Sequence, residues 1–356
     1  MLRRLLRRVT FTDIFMWLIG AVLVALVIYG TYRTLAAGKY GGAEWLNMTV
    51  TGLALGGIYA LIALGYTLVY GILRMINFAH SEVFMSGPLT AYFAASALDK
   101  HGLLDTQPVP SLLLIFVVSM AVSTGVAVLL ERIAYRPLRM APRLVPLITA
   151  IGASFFLQYT FRGLFGSGVK GYPEPGWLKI KWCIGKEGTM CITITQALVI
   201  GFAVLMMAGL YFFVQWTKTG KSMRAVSEDK ETAALMGIDV DRVIGTTFAV
   251  GGALAGVAGV LYALLFRQVQ FFMGFVPGIK AFTAAVLGGI GNIPGAMVGG
   301  LVLGIFESLG PNLFLDGLGI KAPYQLKDAI AFTMLVLILI FRPTGILGER
   351  LARKKA

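Results

Sequence analysis

Three short constellations in this chain carry residue types that could do chemistry. Thr219-Gly220-Lys221-Ser222 matches the end of a phosphate-binding loop, where backbone N–H groups and a lysine cradle phosphates. The full pattern needs a glycine five residues before Gly220, and Gln215 stands there. The upstream residues also form an apolar run rather than a buried strand, so ATP binding by this loop is not expected. His80 and Glu82 form a second pair, suited in principle to metal binding or proton transfer. Two residues apart on a helix they point different ways and no third ligand is near, so capping or anchoring a turn is the expected role. Cys183 and Cys191 are the third. They are close enough in sequence for a disulfide that would pin a short hairpin, and two unpaired thiols remain an open alternative. With His80 and His101 the only histidines, no zinc spacing exists. No metal, no cofactor, no catalytic residue and no enzymatic activity are expected.

These residues sit among apolar runs. The 356 residues are 57% hydrophobic and only 13% charged, which excludes an ordinary soluble domain. The runs span 14–32, 46–73, 83–98, 111–130, 144–161, 192–217, 243–266, 281–306 and 329–341. About 20 residues of helix cross the roughly 30 Å of bilayer hydrocarbon. Backbone polar groups must be satisfied internally there, so the fold class is an all-α polytopic membrane protein. The 44 glycines suit close helix packing. Glycine recurs at 52–65, 251–259 and 288–300, which reads as packing composition more than as an inverted repeat.

The net charge of +14 does not point to nucleic acid, because the basic residues flank helix ends. Arg3, Arg4, Arg7 and Arg8 precede the first run and predict a cytoplasmic N-terminus. The first run is long for a cleaved signal peptide, so an uncleaved helix is expected. Arg132, Arg136, Arg139 and Arg143 then fall inside, and 162–191 falls on the outer, oxidising side. Nine simple spans would leave Arg350, Arg353, Lys354 and Lys355 outside, against the positive-inside rule.

The stretch 281–306 resolves that conflict. Gly288, Gly289, Gly291, Asn292, Pro294 and Gly295 interrupt it. Two half-helices joined there would form a Gly-rich re-entrant pair beside about eight full transmembrane helices, or ten short spans if each half crosses. The competing reading is one helix packed through Gly291, Gly295 and Gly299. Ionisable residues are almost absent from the runs themselves, with Glu307 and Asp328 at their borders. A proton-driven mechanism is therefore weakly supported.

Between two apolar runs lies 218–242, KTGKSMRAVSEDKETAALMGIDVDR. Its basic Lys218, Lys221, Arg224, Lys230 and Arg242 are balanced by Glu228, Asp229, Glu231, Asp239 and Asp241. A neutral, helix-forming island of this length is not a lipid-drawn tail and suggests a docking surface for another protein. Gly237 is placed to stop its helix.

GGIYALIALGYTLVYGILRMINFAHSEVFMSG (56–87), GKSMRAVSEDKETAALMGIDVDR (220–242) and AVLGGIGNIPGAMVGGLVLGI (285–305) together resemble the LivH-type permease subunit of branched-chain amino acid ABC importers. The resemblance runs from about Trp45 to Gly348. It departs at Ser81, where the family usually has glycine, and in the helix before Leu46. It implies a bacterial inner-membrane importer with N- and C-termini cytoplasmic. Its parts would be this permease, a LivM-type second permease, two cytoplasmic ATPases and a periplasmic substrate-binding protein. It also implies that Gly220, Arg224, Ala225, Glu228, Asp229, Ala234 and Gly237 engage the ATPase. The expected domains are 1–45 (basic stretch and extra helix), 46–348 (permease, coupling loop 218–242) and 349–356 (basic tail). Asn77, Thr283, Asn292 and Pro294, polar or helix-breaking groups beside apolar runs, are the candidate substrate-pathway residues. The expected cargo is a branched-chain or other hydrophobic amino acid. Urea or short amides are the alternative cargo, and a stand-alone secondary carrier is the alternative mechanism.

Overall fold

The computed structural model describes residues 11–348 apart from 140, 143, 185–189 and 343. The basic clusters Arg3, Arg4, Arg7 and Arg8, Arg143, and Arg350, Arg353, Lys354 and Lys355 lie outside the described residues. Apolar composition gives helix almost throughout: α1 (Phe11–Ala37), α2 (Gly42–Leu73), α3 (His80–Lys100), the single turn α4 (Leu103–Thr106), α5 (Pro108–Leu130), α6 (Leu144–Phe165) and α7 (Ile194–Trp216). After the charged island, which forms α8 (Lys218–Glu228) and α9 (Lys230–Leu235), come α10 (Val240–Phe266), α11 (Phe275–Gly288), α12 (Ile293–Gly310) and α13 (Lys327–Phe341). Eight helices are long and apolar enough to cross a membrane, and this is a multi-pass membrane fold.

Contacts between loops sort the bundle into two ends. At one end Arg74 reaches Ser227, Arg136 reaches Asp241, and the turn after α11 meets the segment after α13. At the other end Lys39 pairs with Asp316, and Asp105 accepts from the Gly176 N–H. There, two short antiparallel ladders form, β1 (Lys170–Gly171) with β4 (Gln268–Val269) and β2 (Lys181–Ile184) with β3 (Met190–Thr193). The chain passes between these ends along α1, α2, α3, α5, α6, α7, α10, α11, α12 and α13.

The break expected in 281–306 is present, and its geometry differs from a symmetric re-entrant pair. Gly289 and Gly291 adopt φ values of 105° and 100°, which separates α11 from α12. Only α11 is short, at 14 residues. α12 continues through a π turn to Leu315, a 23-residue span. The stretch therefore follows the ten-span alternative, with an extra traversal containing one short helix. The run 83–98 lies in α3, which carries polar residues and is not among the eight apolar spans.

Small residues hold the centre together. A Cβ at Gly56 would stand 2.8 Å from the Leu301 Cα, and one at Gly304 only 2.3 Å from the Gly56 Cα. Backbones of α2 and α12 thus touch where lipid gives no hydrophobic drive, and close packing joins them together with the Ser308 hydroxyl, which donates to the Met48 carbonyl at 2.6 Å. α2 is almost wholly buried, whereas α1 and α13 are largely exposed on the perimeter.

Candidate functional site

The charged island begins where α7 ends. The Thr217 hydroxyl caps α8, accepting from the Gly220 N–H at 3.0 Å and donating to the Phe213 carbonyl at 2.6 Å. Gly220 is buried against the last turn of α7, where a Cβ would lie 2.4 Å from the Phe213 and Val214 carbonyl oxygens. Met223 and Val226 continue that buried face, and Ala225 is half-buried beside them. Arg74 donates to the Ser227 carbonyl at 2.9 Å, tying α8 to the end of α2.

The island holds a second, separate helix rather than one continuous one. Asp229 leaves helical geometry and caps α9, accepting from the N–H groups of Glu231 and Thr232 at 2.9 and 3.1 Å. The Thr232 hydroxyl donates to its other oxygen at 2.7 Å. Those donors, the Thr232 hydroxyl first, hold the Asp229 carboxyl below its ordinary range. Gly237, at φ 84°, closes α9, with N–H bonds from Gly237 to Ala234 and from Ile238 to Ala233. Asp239 then caps α10, and Asp241 pairs with Arg136 at 2.5 Å and with Arg139. The loop is a braced two-helix platform.

Several residues expected to dock are engaged inside the chain. Arg224 donates to the Gln215 side chain and main chain, at 2.8 and 3.1 Å, and Asp229 is a helix cap. Glu228, Ala234 and Gly237 are exposed. Beside them stand Leu235 and Met236, 87% and 79% exposed, which charge balance and helix-forming pattern do not single out. Their signal was available: two large apolar residues on a loop that lipid does not cover.

The candidate pathway residues are not gathered into one site. The buried Asn77 accepts from the Tyr135 hydroxyl at 2.6 Å and ties the turn after α2 to the π turn after α5. Thr283 is fully buried and donates to the Ile279 carbonyl within α11. Asn292 caps α12, Pro294 opens it, and Asn292 Nδ2 also donates to the Leu347 carbonyl at 2.8 Å. A groove of about 460 Å³ between α5 and α6, lined by Val126, Leu130, Ile133, Ala153 and Phe156 among others, is apolar. None of the candidate pathway residues lines it.

The expectation that the spans hold almost no ionisable groups needs correction. Glu82 is fully buried in the first turn of α3. Its Oε1 accepts from Ser81 Oγ at 3.1 Å, Ser154 Oγ at 3.2 Å and Gln158 Nε2 at 2.8 Å, the last two on α6. His80 faces α2 instead, wedged at Gly65 and edge-on to Tyr66. Lys280 and Glu307 are also buried and paired. No group of three or more metal-ligating residues exists among the described residues. Cys183 and Cys191 are bonded across the β2–β3 hairpin.

Residues 48–339 match the family model described as "Branched-chain amino acid transport system / permease component". The chain belongs to this family. The permease is 44% identical over 308 residues to the high-affinity branched-chain amino acid transport system permease protein BraD of Pseudomonas aeruginosa, covering 86% of this chain and 96% of BraD. It is 42% identical over 310 residues to LivH of Escherichia coli K12, covering 86% and 96%. Among solved structures, PsaBC from Streptococcus pneumoniae in complex with Fab superposes with a TM-score of 0.44 and 12% identity, over 88% of this chain and 96% of that one, a likeness that carries no argument. The matched region of the permease holds the platform, Glu82 and Lys280, and omits α1. Thr219–Ser222 lie within α8 and follow a helix, so they do not form the strand-to-helix phosphate cradle.

Proposed function

We propose that this permease is one membrane subunit of an ABC importer that carries branched-chain or other hydrophobic amino acids into the cytoplasm. The α8–α9 platform is the docking surface for a cytoplasmic ATPase, and the exposed Leu235–Met236 pair is its apolar anchor. Large apolar side chains on an extramembrane loop favour a protein partner, because burying each stabilises a contact by about 1.5–3 kcal/mol. Gly220, Arg224, Ala225 and Asp229 serve the same surface by holding the platform rigid, while Glu228, Ala234 and Gly237 border the anchor. ATPase closure then reaches the bundle as a push through α8 into α7 and α2.

Two further observations support the orientation. Arg74, Arg132, Arg136, Arg139 and Arg342 gather at the platform end, as the positive-inside rule expects of a cytoplasmic face that also carries both termini. The disulfide lies at the opposite end, as suits an oxidising periplasm where a substrate-binding protein would deliver cargo. Asn77, Thr283, Asn292 and Pro294 serve as supports of the pathway rather than its lining, and a LivM-type second permease supplies the facing wall.

The observation that carries this reading is the family match over residues 48–339, and the exposed Leu235–Met236 pair supports the docking surface. The test is reconstitution with the second permease, two ATPases and the binding protein in proteoliposomes. ATP-dependent leucine uptake that needs the binding protein is the expected result. Uptake of urea but not leucine would reassign the cargo, and uptake driven by an ion gradient without ATP would overturn the importer reading.

A further inference from the structure

Lys280 of α11 is the centre of an ion triad in which Lys280 and Glu307 are buried and Asp328 is partly exposed. Its Nζ lies 2.7 Å from Glu307 Oε1 of α12 and 2.6 Å from Asp328 Oδ1 of α13. The Lys280 and Glu307 side chains are 4% and 2% exposed, and Asp328 is 45% exposed. Nζ also stands 5.8 Å from the centre of the Tyr59 ring on α2. Removing such ions from water costs several kcal/mol each, so a buried pair is a poor source of net stability. Its value is directional, because a charge in an apolar bundle tolerates few arrangements other than the one that pairs it.

The same three helices are joined again near the platform end. The Ile346 and Leu347 N–H groups donate to the Leu287 and Gly288 carbonyls at 2.8 and 3.0 Å. Asn292 Nδ2 returns a bond to the Leu347 carbonyl at 2.8 Å. The segment after α13 thus satisfies terminal carbonyls of the short helix α11. Without these ties α13 would be loosely held, since most of its surface is exposed. α11 in turn abuts the start of α3, where Gly274 and Gly278 press on Ser81, and its Phe282 meets Phe78 of the preceding turn and Tyr66 of α2.

We infer that Lys280 is a positioning residue for transport: through Glu307 and Asp328 it makes α11, α12 and α13 move as one body when the permease changes state. The triad fixes one level of that body and the segment 344–348 fixes the other. α11 packs closely on α12, where a Cβ at Gly299 would stand 2.1 Å from the Ala284 carbonyl oxygen, but α13 is largely exposed, so the ion triad and the segment 344–348 are what tie it to that pair. The inference rests on the ATP-driven reading above and adds the element that carries the movement across the perimeter.

The test uses the reconstituted importer complex with wild type, Lys280→Met and the triple variant Lys280→Met, Glu307→Gln, Asp328→Asn. The single variant strands two carboxylates and is expected to assemble poorly, whereas the triple variant leaves no unpaired buried charge. The triple variant is expected to assemble and keep its basal ATP hydrolysis. Its uptake should fall by about tenfold or more, and hydrolysis should no longer accelerate with substrate-loaded binding protein. Wild-type uptake and stimulation by the triple variant would overturn the inference. Failure of the triple variant to assemble would also overturn it, by showing that the triad serves folding alone. Failure of the importer reading would show separately, as wild-type uptake that ignores ATP.

Discussion

Arg224 grips Gln215 with two donors, one on the side-chain oxygen at 2.8 Å and one on the main-chain oxygen at 3.1 Å. The forked guanidinium closes the corner between α7 and α8, so a residue that looks like a docking charge in the sequence is a brace in the fold. Arg224→Ala should leave the ATPase subunits bound and lower uptake severalfold or more, because it removes two hydrogen bonds, each worth about 1 kcal/mol net. Arg224→Lys should recover little of this, since an ammonium cannot span both acceptors. Co-purification and uptake measured on one preparation check both points. Loss of the ATPases from Arg224→Ala would show instead that Arg224 touches the partner.

Leu235→Asp and Met236→Asp, singly or together, should leave the permease folded, as both side chains project into solvent. The ATPases should dissociate at least about fivefold more readily, an anchor loss of roughly 1–3 kcal/mol. Light scattering of the solubilised complex against concentration reads the effect. An unchanged dissociation constant would remove the pair from the interface.

Gly220→Ala places a methyl group where the α7 carbonyls stand 2.4 Å away, so α8 must lift or α7 must unwind. The expected cost is about 1–3 kcal/mol, the range for overpacking. It should appear as a lower melting temperature of the purified permease and as faster proteolysis at the start of α8. Gly237→Ala, with open space around it, should cost less and only through its left-handed backbone at φ 84°.

Acidification should loosen the platform at Asp229 and Asp241. The Thr232 hydroxyl and backbone donors hold the first carboxyl below its ordinary value, and Arg136 with Arg139 holds the second below its own. A carboxyl with a depressed folded-state value contributes stability that is fully present above the unfolded value, about 3.9. That contribution is lost as pH falls through the folded-state value. Hydrogen exchange of α9 amides should therefore be flat from neutral pH to about 5, once corrected for intrinsic rates, and rise below about 4. Asp229→Ala should show the faster exchange already at neutral pH.

Much of this permease follows from its sequence for a simple reason. Apolar runs long enough to cross a bilayer have no backbone option but helix, so α2, α5, α6, α7 and α10 are legible from residue type alone. Gly289, Asn292 and Pro294 announce the break between α11 and α12, since local backbone preference sets it. Only tertiary structure decides which polar residues face inward. Lys280 reads as a loop residue, because α11 begins five residues before it in a stretch with no apolar periodicity to mark the start. Glu307 reads as a border residue, because α12 runs on through the π turn to Leu315. Glu82 reads as a turn residue until α6 brings Ser154 and Gln158 to it. Hydrogen bonds and ion pairs between residues 27 to 76 positions apart leave no local pattern, so the buried polar groups and the brace they form belong to the packing of helices rather than to any one segment.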